Sequence, residues 1–326
     1  MEVRAAASGR RLADQPGEVK EPVADRYVGR FAPSPSGPLH FGSLVAAVAS
    51  YSDAKANRGR WLLRIEDLDP PREVAGAAES FPRVLEAFGL QWDGAILRQS
   101  TRDAAYRAAL DQLRTGSRIF PCGCTRAQLE HAPLGATGER VYPGTCREGL
   151  APGRDARSWR LRVDAGLVTF VDRIQGPQTQ NLLRESGDFV LRRADGFWAY
   201  QLAVVVDDWE QGITDIVRGA DLLASTPRQI WLQRQLGAPV PRYAHVPAAV
   251  NAAGEKLSKQ THAPALSEHG ALALLLAAWS FLGQPPPSEE FANADEFWRW
   301  AIANWNVRSV PPVTMLHCEA GTTIGL

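Results

Sequence analysis

The chain has 326 residues, of which 45% are hydrophobic and 22% charged, and its 36 basic side chains balance its 36 acidic ones. This composition is typical of a globular protein with room for two domains. No apolar run approaches the roughly 20 residues that a membrane span needs, so we expect no membrane partner. Zero net charge restricts any nucleic-acid contact to a local patch.

The N-terminal segment mixes Arg, Lys, Asp and Glu and contains no apolar core. A signal peptide would need a continuous apolar stretch after its basic residues, and none is present. We therefore expect residues 1–25 to form a disordered extension, and the protein to be cytoplasmic.

The following segments alternate between strand and helix patterns. A buried strand is predicted over residues 27–31, a helix over 43–57 and a second strand over 60–66. After a proline break, another helix is predicted over 73–88. This order is typical of a doubly wound nucleotide-binding domain. We assign residues 26–119 to the first half of such a Rossmann-like α/β domain.

The pattern changes over residues 120–195, which contain turns, three cysteines and many arginines. We interpret this stretch as an insertion and not as a continuation of the sheet. Residues 197–206 form a strand or the start of a buried helix, and 213–219 form a further strand. A helix over 221–236 follows, with the cap of its main part at residues 225–227.

The last part of the chain is predicted to be helical. Residues 196–262 complete the Rossmann-like domain and include a loop with two lysines. Helices over 266–282 and 294–305, separated by three prolines, make residues 263–306 a helical C-terminal part. Residues 307–326 show no periodicity and are assigned to a tail.

Two of the four lysines in the chain, Lys256 and Lys259, lie within four residues of each other. Arginine serves as the basic residue almost everywhere else. A slim ammonium group acts on phosphate as a point charge where a planar guanidinium fits poorly. This lysine pair therefore predicts a binding site for the terminal phosphates of a triphosphate. Chance placement of the two lysines on a solvated turn is the alternative.

A second phosphate signal lies at the start of the first predicted helix. His40 and Gly42 end a turn rich in proline and glycine, just before Ser43. Backbone N–H groups at a helix N-terminus, together with an imidazole, are suited to binding phosphate. With the lysine loop, they predict an ATP site that activates a carboxylate.

Four segments, in order and in context, resemble the glutamate-specific branch of the class I aminoacyl-tRNA synthetases. His40 to Ser43 and Lys256 to Gln260 are similar to the "HIGH" and "KMSKS" motifs of that class, although Ser43 replaces a histidine and Gln260 a serine. The resemblance covers roughly residues 27–305 and implies a class I catalytic domain. The segments read RFAPSPSGPLHFGS (30–43), LRIEDLD (63–69), VRGADLLASTPRQ (217–229) and KLSKQ (256–260).

The resemblance implies catalytic roles at both ends of the triphosphate. His40 would donate to phosphate oxygens, and Gly42 would leave room for the nucleotide; Ser43 would also bind ATP. Lys259, helped by Lys256 and by Mg²⁺, would neutralise the leaving pyrophosphate.

The same resemblance implies a pocket for L-glutamate. Arg30 would bind the side-chain carboxylate with its bidentate fork, and Arg218 would give a second positive contact. Glu66 would accept a hydrogen bond from the substrate ammonium group. An ordinary ion pair between Arg30 and Glu66, and core packing of Tyr200, are the alternatives. The other residues assigned to this pocket are Phe31, Ala32, Pro33, Ser34 and Tyr200.

The insertion contains Cys122, Cys124 and Cys146 within 25 residues. Cysteines two apart are poorly placed to bridge each other, and cytoplasmic proteins seldom keep disulfides. Three thiolates suit a structural, tetrahedral Zn²⁺, which needs one more ligand. His131 is available in the sequence, whereas resemblance to the truncated members of the family favours Tyr142. A reduced, metal-free knuckle is the alternative.

Only 66 residues follow Gln260, too few for the anticodon-binding region of a full glutamyl-tRNA synthetase. In this the chain resembles the glutamyl-queuosine tRNA(Asp) synthetases. That resemblance implies a monomeric ligase that activates glutamate without tRNA and transfers it to the wobble queuosine of tRNA(Asp), with the Arg-rich insertion contacting the anticodon stem-loop. An adenylate-forming nucleotidyltransferase with a small-molecule acceptor and an inactive RNA-binding paralogue are the alternatives.

Overall fold

The computed structural model describes residues 27–135, 138, 140–164, 166–257 and 264–318. The predicted extension over residues 1–25 lies outside the described residues, as do Lys259 and Gln260. No helix in the described ranges is long and apolar enough to cross a membrane.

Strands and helices alternate through most of the described chain. The strands are β1 (Val28–Phe31), β2 (Arg60–Ile65), β3 (Leu97–Arg98), β4 (Ile119–Cys122), β5 (Ser158–Leu161), β6 (Leu167–Asp172), β7 (Gly176–Asn181), β8 (Phe189–Arg192), β9 (Asp215–Gly219), β10 (Arg242–Val246), β11 (Ala248–Val250) and β12 (Met315–His317). The helices are α1 (Phe41–Ala56), α2 (Ala77–Ala87), α3 (Asp103–Thr115), α4 (Arg126–Leu129), α5 (Leu182–Glu185), α6 (Tyr200–Glu210), α7 (Thr226–Leu236), α8 (Ala271–Phe281) and α9 (Ala294–Asn304).

Two sheets meet at the centre of the molecule. One is parallel, in the order β1-β2-β3, and the other has the order β7-β6-β10-β9, with β10 parallel to both neighbours. The backbone N–H of Thr214 donates to the carbonyl of Val28 at 3.0 Å, so β1 lies beside β9. The carboxyl ends of these strands share one edge, where open α/β sheets bind their ligands.

Helix α1 packs across β1 and β9, with its N-terminus at this edge, and forms the centre of the main core. Its alanines let the backbone approach the sheet closely, and Leu44, Val45 and Val48 are buried. Trp61 of β2 is fully buried, stacks on Phe31 at 6.0 Å and meets Tyr51 edge-on at 5.1 Å. Helices α8 and α9 cover the other side of α1. This packing fixes where α1 begins, and hence where His40 lies.

Part of the predicted insertion belongs to the central sheet that has the order β7-β6-β10-β9. Strands β6 and β7 form a hairpin, and Asp172 at the end of β6 pairs with Tyr243 of β10. The interpretation that this stretch does not continue the sheet is therefore wrong for residues 167–181. Their pairing partner comes some 70 residues later in the chain, so no local pattern shows it. The domain boundaries at 120 and 195 stay a prediction.

The sequence left two other segments without a secondary-structure assignment. Residues 197–206 lead into a helix, α6, and not a strand. Its apolar residues are buried on every side, which removes the periodicity that separates the two possibilities. Within the predicted tail, Met315–His317 forms β12 and pairs with β11. Three residues are too few to show an alternation.

Candidate active site

The site begins at the N-terminus of α1. The backbone N–H of His40 donates to Ser43 Oγ at 3.4 Å, and its carbonyl accepts from the N–H of Leu44 at 3.0 Å. A Cβ on Gly42 would lie 3.1 Å from His40 Cε1, so the imidazole packs tightly over this glycine. Glycine at position 42 thus lets the ring lie over the first turn of the helix, whose leading N–H groups have no partners within the helix.

The imidazole of His40 is neutral and incompletely satisfied. Burial, followed by the nearby charge of Lys256, lowers the pKa of His40 below its ordinary value. Its Nδ1 is buried and has no hydrogen-bond partner among the described residues. A buried nitrogen of this kind is costly to leave unpaired. A ligand with polar oxygens at this position would satisfy it.

The lysine loop returns to the same place. Leu257 N–H donates to the carbonyl of Ala249 at 2.8 Å, and beyond the loop Leu266 N–H donates to the carbonyl of Leu39 at 2.8 Å. Both described flanks of the loop are thereby held beside His40. Lys256 Nζ lies 2.6 Å from Asp221 Oδ2. The position of Lys259 lies outside the described residues.

A cavity of about 400 Å³ opens next to these groups. Four of the sequence-predicted residues contribute to its wall, from the loop after β1, the end of β2, the start of α6 and the lysine loop. The Glu66 N–H donates to the carbonyl of Pro33 at 3.0 Å, which joins two of these segments. The four residues are Ser34, Glu66, Tyr200 and Lys256.

Behind the cavity lies a buried cluster of charges. Arg30 Nε and Arg64 Nη1 both donate to Asp208 Oδ1, at 3.3 and 2.8 Å, and Arg64 Nη2 donates to Glu66 at 3.3 Å. Burial opposes ionisation of Asp208, yet Arg64 and Arg30 lower its pKa. Burial raises the pKa of Glu66. The cluster pairs Arg30 with a carboxylate behind the cavity.

Arg218 lies in a different environment. Its Nε donates to His245 Nε2 at 3.0 Å and its Nη1 to the Tyr200 hydroxyl at 3.4 Å. Its Nη2 donates to Thr226 Oγ1 and Gln229 Oε1, at 2.9 and 2.8 Å. All these partners are neutral. Arg218 is only 5% exposed, so a buried positive charge lies on the Tyr200 side of the cavity, and none of the described carboxylates contacts it.

The remaining predicted residues contribute less directly. Phe31 packs in the core against Trp61 and is not part of the cavity wall. Ala32 and Pro33 are half-buried in the turn after β1. Sequence reasoning missed Arg64, Asp208 and His245. A usable signal was present, because each is a charged or polar residue inside an otherwise apolar buried segment, where it must have a partner.

The three cysteines of the insertion come together as predicted. Their Sγ atoms lie within 4.8 Å of one another, and Cys124 Sγ is 3.6 Å from Cys146 Sγ. The Tyr142 hydroxyl lies 3.4 Å from Cys122 Sγ and accepts a hydrogen bond from the Cys146 N–H at 2.8 Å. His131 is exposed and does not belong to the cluster.

These distances suit a tetrahedral metal. Zn–S bonds of about 2.3 Å and a Zn–O bond of about 2.0 Å place sulfurs about 3.8 Å apart and oxygen about 3.5 Å from sulfur. Cys124 and Cys146 lie 3.6 Å apart, and the Tyr142 oxygen is 3.4 Å from Cys122 and 3.9 Å from Cys124. The guanidinium of Arg160 lies over the Tyr142 ring, 3.9 Å from its centre, and would offset the excess negative charge of four anionic ligands. The donor set therefore fits zinc.

Comparison with known proteins extends these observations. Residues 27–273 match the family described as tRNA synthetases class I (E and Q), catalytic domain. A Glutamyl-Q tRNA(Asp) synthetase from Aromatoleum aromaticum is 56% identical over 299 residues, covering 91% of this chain and 94% of its own length. One from Thiobacillus denitrificans is 59% identical over 285 residues, covering 87% and 95%.

The fold has a solved counterpart. A glutamate-tRNA synthetase from Elizabethkingia anophelis superposes with a TM-score of 0.75 at 24% identity, over 91% of this chain and 69% of that one. The likeness confirms the predicted class I catalytic fold. With the family match over most of the chain, it follows that the chain belongs to the class I tRNA synthetases (E and Q) and, within them, to the Glutamyl-Q tRNA(Asp) synthetase family.

Proposed function

We propose that this chain is a ligase that activates L-glutamate with ATP, without tRNA, and transfers the glutamate to the queuosine at the wobble position of tRNA(Asp). The names of its relatives, which are 53–59% identical, support the overall reaction. The observation that carries the proposal is the charge of the pocket: three buried guanidinium groups face two carboxylates.

Charge balance favours a dicarboxylate amino acid. Arg30 and Arg64 balance Asp208 and Glu66, with which they are paired, and Arg218 adds one positive charge without a carboxylate partner among the described residues. Glutamate carries two carboxylates and one ammonium group, a net charge of −1. In this arrangement Arg30 and Arg218 bind the two carboxylates, and Glu66 accepts from the ammonium group. Tyr200 and Ser34 close the pocket.

The reaction needs positioning more than covalent chemistry. A carboxylate oxygen of glutamate attacks the α-phosphorus of ATP, the bond to the bridging oxygen breaks, and pyrophosphate leaves. His40 donates to phosphate oxygens, while Gly42 and Ser43 present the first turn of α1. Lys256 and Lys259 compensate the charge of the leaving group. Mg²⁺ bound with ATP would add further charge compensation.

We propose that Cys122, Cys124, Cys146 and Tyr142 hold one structural Zn²⁺. The zinc would supply no chemistry, since all four positions of the tetrahedron are filled by protein. It would fix the loop between β4 and β5 and thereby shape the insertion. The Tyr142 hydroxyl lies 3.4 Å from Cys122 Sγ and 3.9 Å from Cys124 Sγ, which supports this ligand set.

We also propose that the insertion face binds the anticodon stem-loop. Arginines and tryptophans line a hollow of about 220 Å³ between α3 and the β5–β8 strands. Tryptophan faces stack on unpaired bases, and arginines contact phosphates. The cytoplasmic location and the monomeric state stay predictions. The residues proposed to contact RNA in this hollow are Arg107, Arg114, Arg192 and Trp159; Trp198, 7% exposed, lies beneath the Arg192 guanidinium.

Exchange of labelled pyrophosphate into ATP tests the first half of the reaction. We expect exchange with L-glutamate in the absence of any RNA, and none with L-glutamine, which lacks the second carboxylate. Replacement of Lys259 by alanine should abolish most of the exchange. Exchange that requires tRNA, or that accepts glutamine equally, would contradict the proposal.

A further inference from the structure

Arg218 is buried, and its described hydrogen-bond partners are all neutral. Nε, Nη1 and Nη2 all donate, to His245, Tyr200, Thr226 and Gln229. No described carboxylate contacts it. Arg30 and Arg64, by contrast, both donate to Asp208. A buried cation is stable only when an anion or strong dipoles compensate it, so this arrangement keeps the charge of Arg218 available for a ligand.

The partner of Arg218 Nε is held in one protonation state by its own neighbour. Arginine can only donate, so His245 Nε2 accepts from Arg218 and carries no proton; the Thr226 hydroxyl, 3.2 Å from the same nitrogen, is then placed as a second donor to it. The proton of the neutral imidazole is then on Nδ1, which donates to Asp172 Oδ2 at 2.6 Å. Burial, opposed by the hydrogen bond to Asp172, lowers the pKa of His245 to about 4, consistent with a neutral ring.

Asp172 is itself fixed by the backbone. Its Oδ1 accepts from the N–H groups of Ile174, Gln175 and His245, at 3.0, 2.9 and 3.1 Å. Only Oδ2 is left to face the imidazole. Asp172 ends β6, the strand that joins the central sheet from within the predicted insertion. A series of hydrogen bonds thus connects the backbone to Asp172, Asp172 to His245, and His245 to Arg218.

We propose that His245 is a positioning residue: with its tautomer set by Asp172, it orients Arg218 toward the substrate carboxylate and leaves the charge of that guanidinium uncompensated. The inference rests on the proposed function, in which Arg218 binds a carboxylate of glutamate. A carboxylate at position 245 would orient Arg218 equally well but would neutralise it.

Asp172→Asn tests the tautomer without a change of shape. The amide oxygen keeps the three backbone hydrogen bonds, so its NH₂ group faces His245 Nδ1. That nitrogen must then accept, and the proton moves to Nε2, opposite the Nε–H of Arg218. We expect the KM for glutamate in pyrophosphate exchange to rise about tenfold or more, as for the loss of a charged hydrogen bond. The KM for ATP should change less than about twofold.

Two histidine variants separate orientation from packing. His245→Gln places an amide oxygen near the position of Nε2 and still accepts from Arg218, so its KM for glutamate should stay within about threefold of wild type. His245→Asn reaches only toward Asp172 and should match Asp172→Asn. Equal effects of both variants would indicate a packing role and overturn the proposal. Val246→Ala, on the same strand with its side chain on the opposite face, controls for loss of stability.

Arg218→Met distinguishes failure of this inference from failure of the proposed function. If Arg218→Met leaves the KM for glutamate unchanged, Arg218 does not bind the substrate, and the proposed pocket is wrong. If Arg218→Met raises that KM but Asp172→Asn does not, only the positioning role is wrong. In the Arg218→Met background, Asp172→Asn should add less than about a twofold effect. If the double variant instead raised the KM for glutamate by the product of the two single effects, the inference would be overturned.

The wild-type protein offers a test that needs no variant to fold. Nitrogen NMR of protein labelled in histidine reports which ring nitrogen carries the proton. We expect one buried histidine with the proton on Nδ1 throughout pH 6 to 8, because its pKa lies near 4. Protonation at Nε2 in the wild-type protein would overturn the proposal regardless of the kinetics.

Discussion

Asp208 holds two of the buried guanidinium groups of the pocket. Arg30 and Arg64 come from neighbouring strands and would repel each other without the carboxylate between them. From the sequence, Arg30 and Glu66 were identified by resemblance, and the structure brings them together. Asp208 was not identified, because it lies on α6, some 140 residues beyond Arg64, and follows an apolar run that reads as core.

Asp208→Asn should lower the free energy of unfolding by about 3 kcal/mol, since it leaves buried guanidinium groups without their anion. Urea unfolding, followed by circular dichroism, measures the change. Asp111→Asn makes the same substitution in an exposed ion pair with Arg114 and should cost less than about 0.5 kcal/mol. Equal costs for the two variants would argue against a buried charge cluster.

His245 also predicts a pH dependence of stability. Its pKa is about 4 in the folded chain and about 6.5 when unfolded, so between these values the unfolded state binds more protons. Its contribution to stability is complete above pH 6.5 and is lost as the pH falls toward 4, up to about 3 kcal/mol. Urea unfolding of wild type and His245→Gln between pH 4 and 7 should show a shallower slope for the variant; parallel curves would contradict this.

Helix α1 shows what a local pattern can and cannot predict. Its existence, the strands before and after it, and the location of His40 at its start followed from sequence, because turn, strand and helix signals are local. The tight contact between Gly42 and the imidazole required the structure. So did the pairing of β6 with β10, which depends on a distant strand. Helix α3 was not predicted, although its core face contains Tyr106, Ala109 and Leu113.

Gly42→Ala should separate activity from stability. The new Cβ would lie 3.1 Å from His40 Cε1 and displace the imidazole, so kcat/KM for exchange should fall about tenfold or more. Alanine also favours the helix, by up to about 1 kcal/mol, so the melting temperature should not fall. Gly116→Ala, where the nearest atom would be 3.5 Å away, is the control. An unchanged exchange rate would show that the ring position is unimportant.

The knuckle between β4 and β5 makes a separate prediction. Cys124→Ser should not retain the proposed zinc, measured as zinc per chain by atomic emission, because a thiolate ligand is removed. Transfer to tRNA should fall, while exchange with glutamate should persist, since the cluster lies outside the cavity. Cys318→Ser, outside the cluster, should keep its zinc. Equal metal content in both variants would rule out the proposed ligands.

Distant parts of the chain are joined into one body by buried polar contacts. Asp53 of α1 accepts hydrogen bonds from Tyr27, Arg173 and Trp305, which come from the start of β1, the turn after β6 and the C-terminal part. Resemblance predicted the class I catalytic domain correctly. It could not show that residues after β6 and after α9 brace α1, because such contacts depend on three-dimensional proximity alone.

The most direct test of the proposed function is transfer of labelled glutamate to purified tRNAs by the enzyme in the presence of ATP. We expect labelling of tRNA(Asp) that contains queuosine, and none of tRNA(Asp) lacking it or of tRNA(Glu). Arg30→Met, which removes the side-chain carboxylate contact, should abolish labelling without unfolding the protein. Equal labelling of unmodified tRNA(Asp), or preferential labelling of tRNA(Glu), would contradict the assignment.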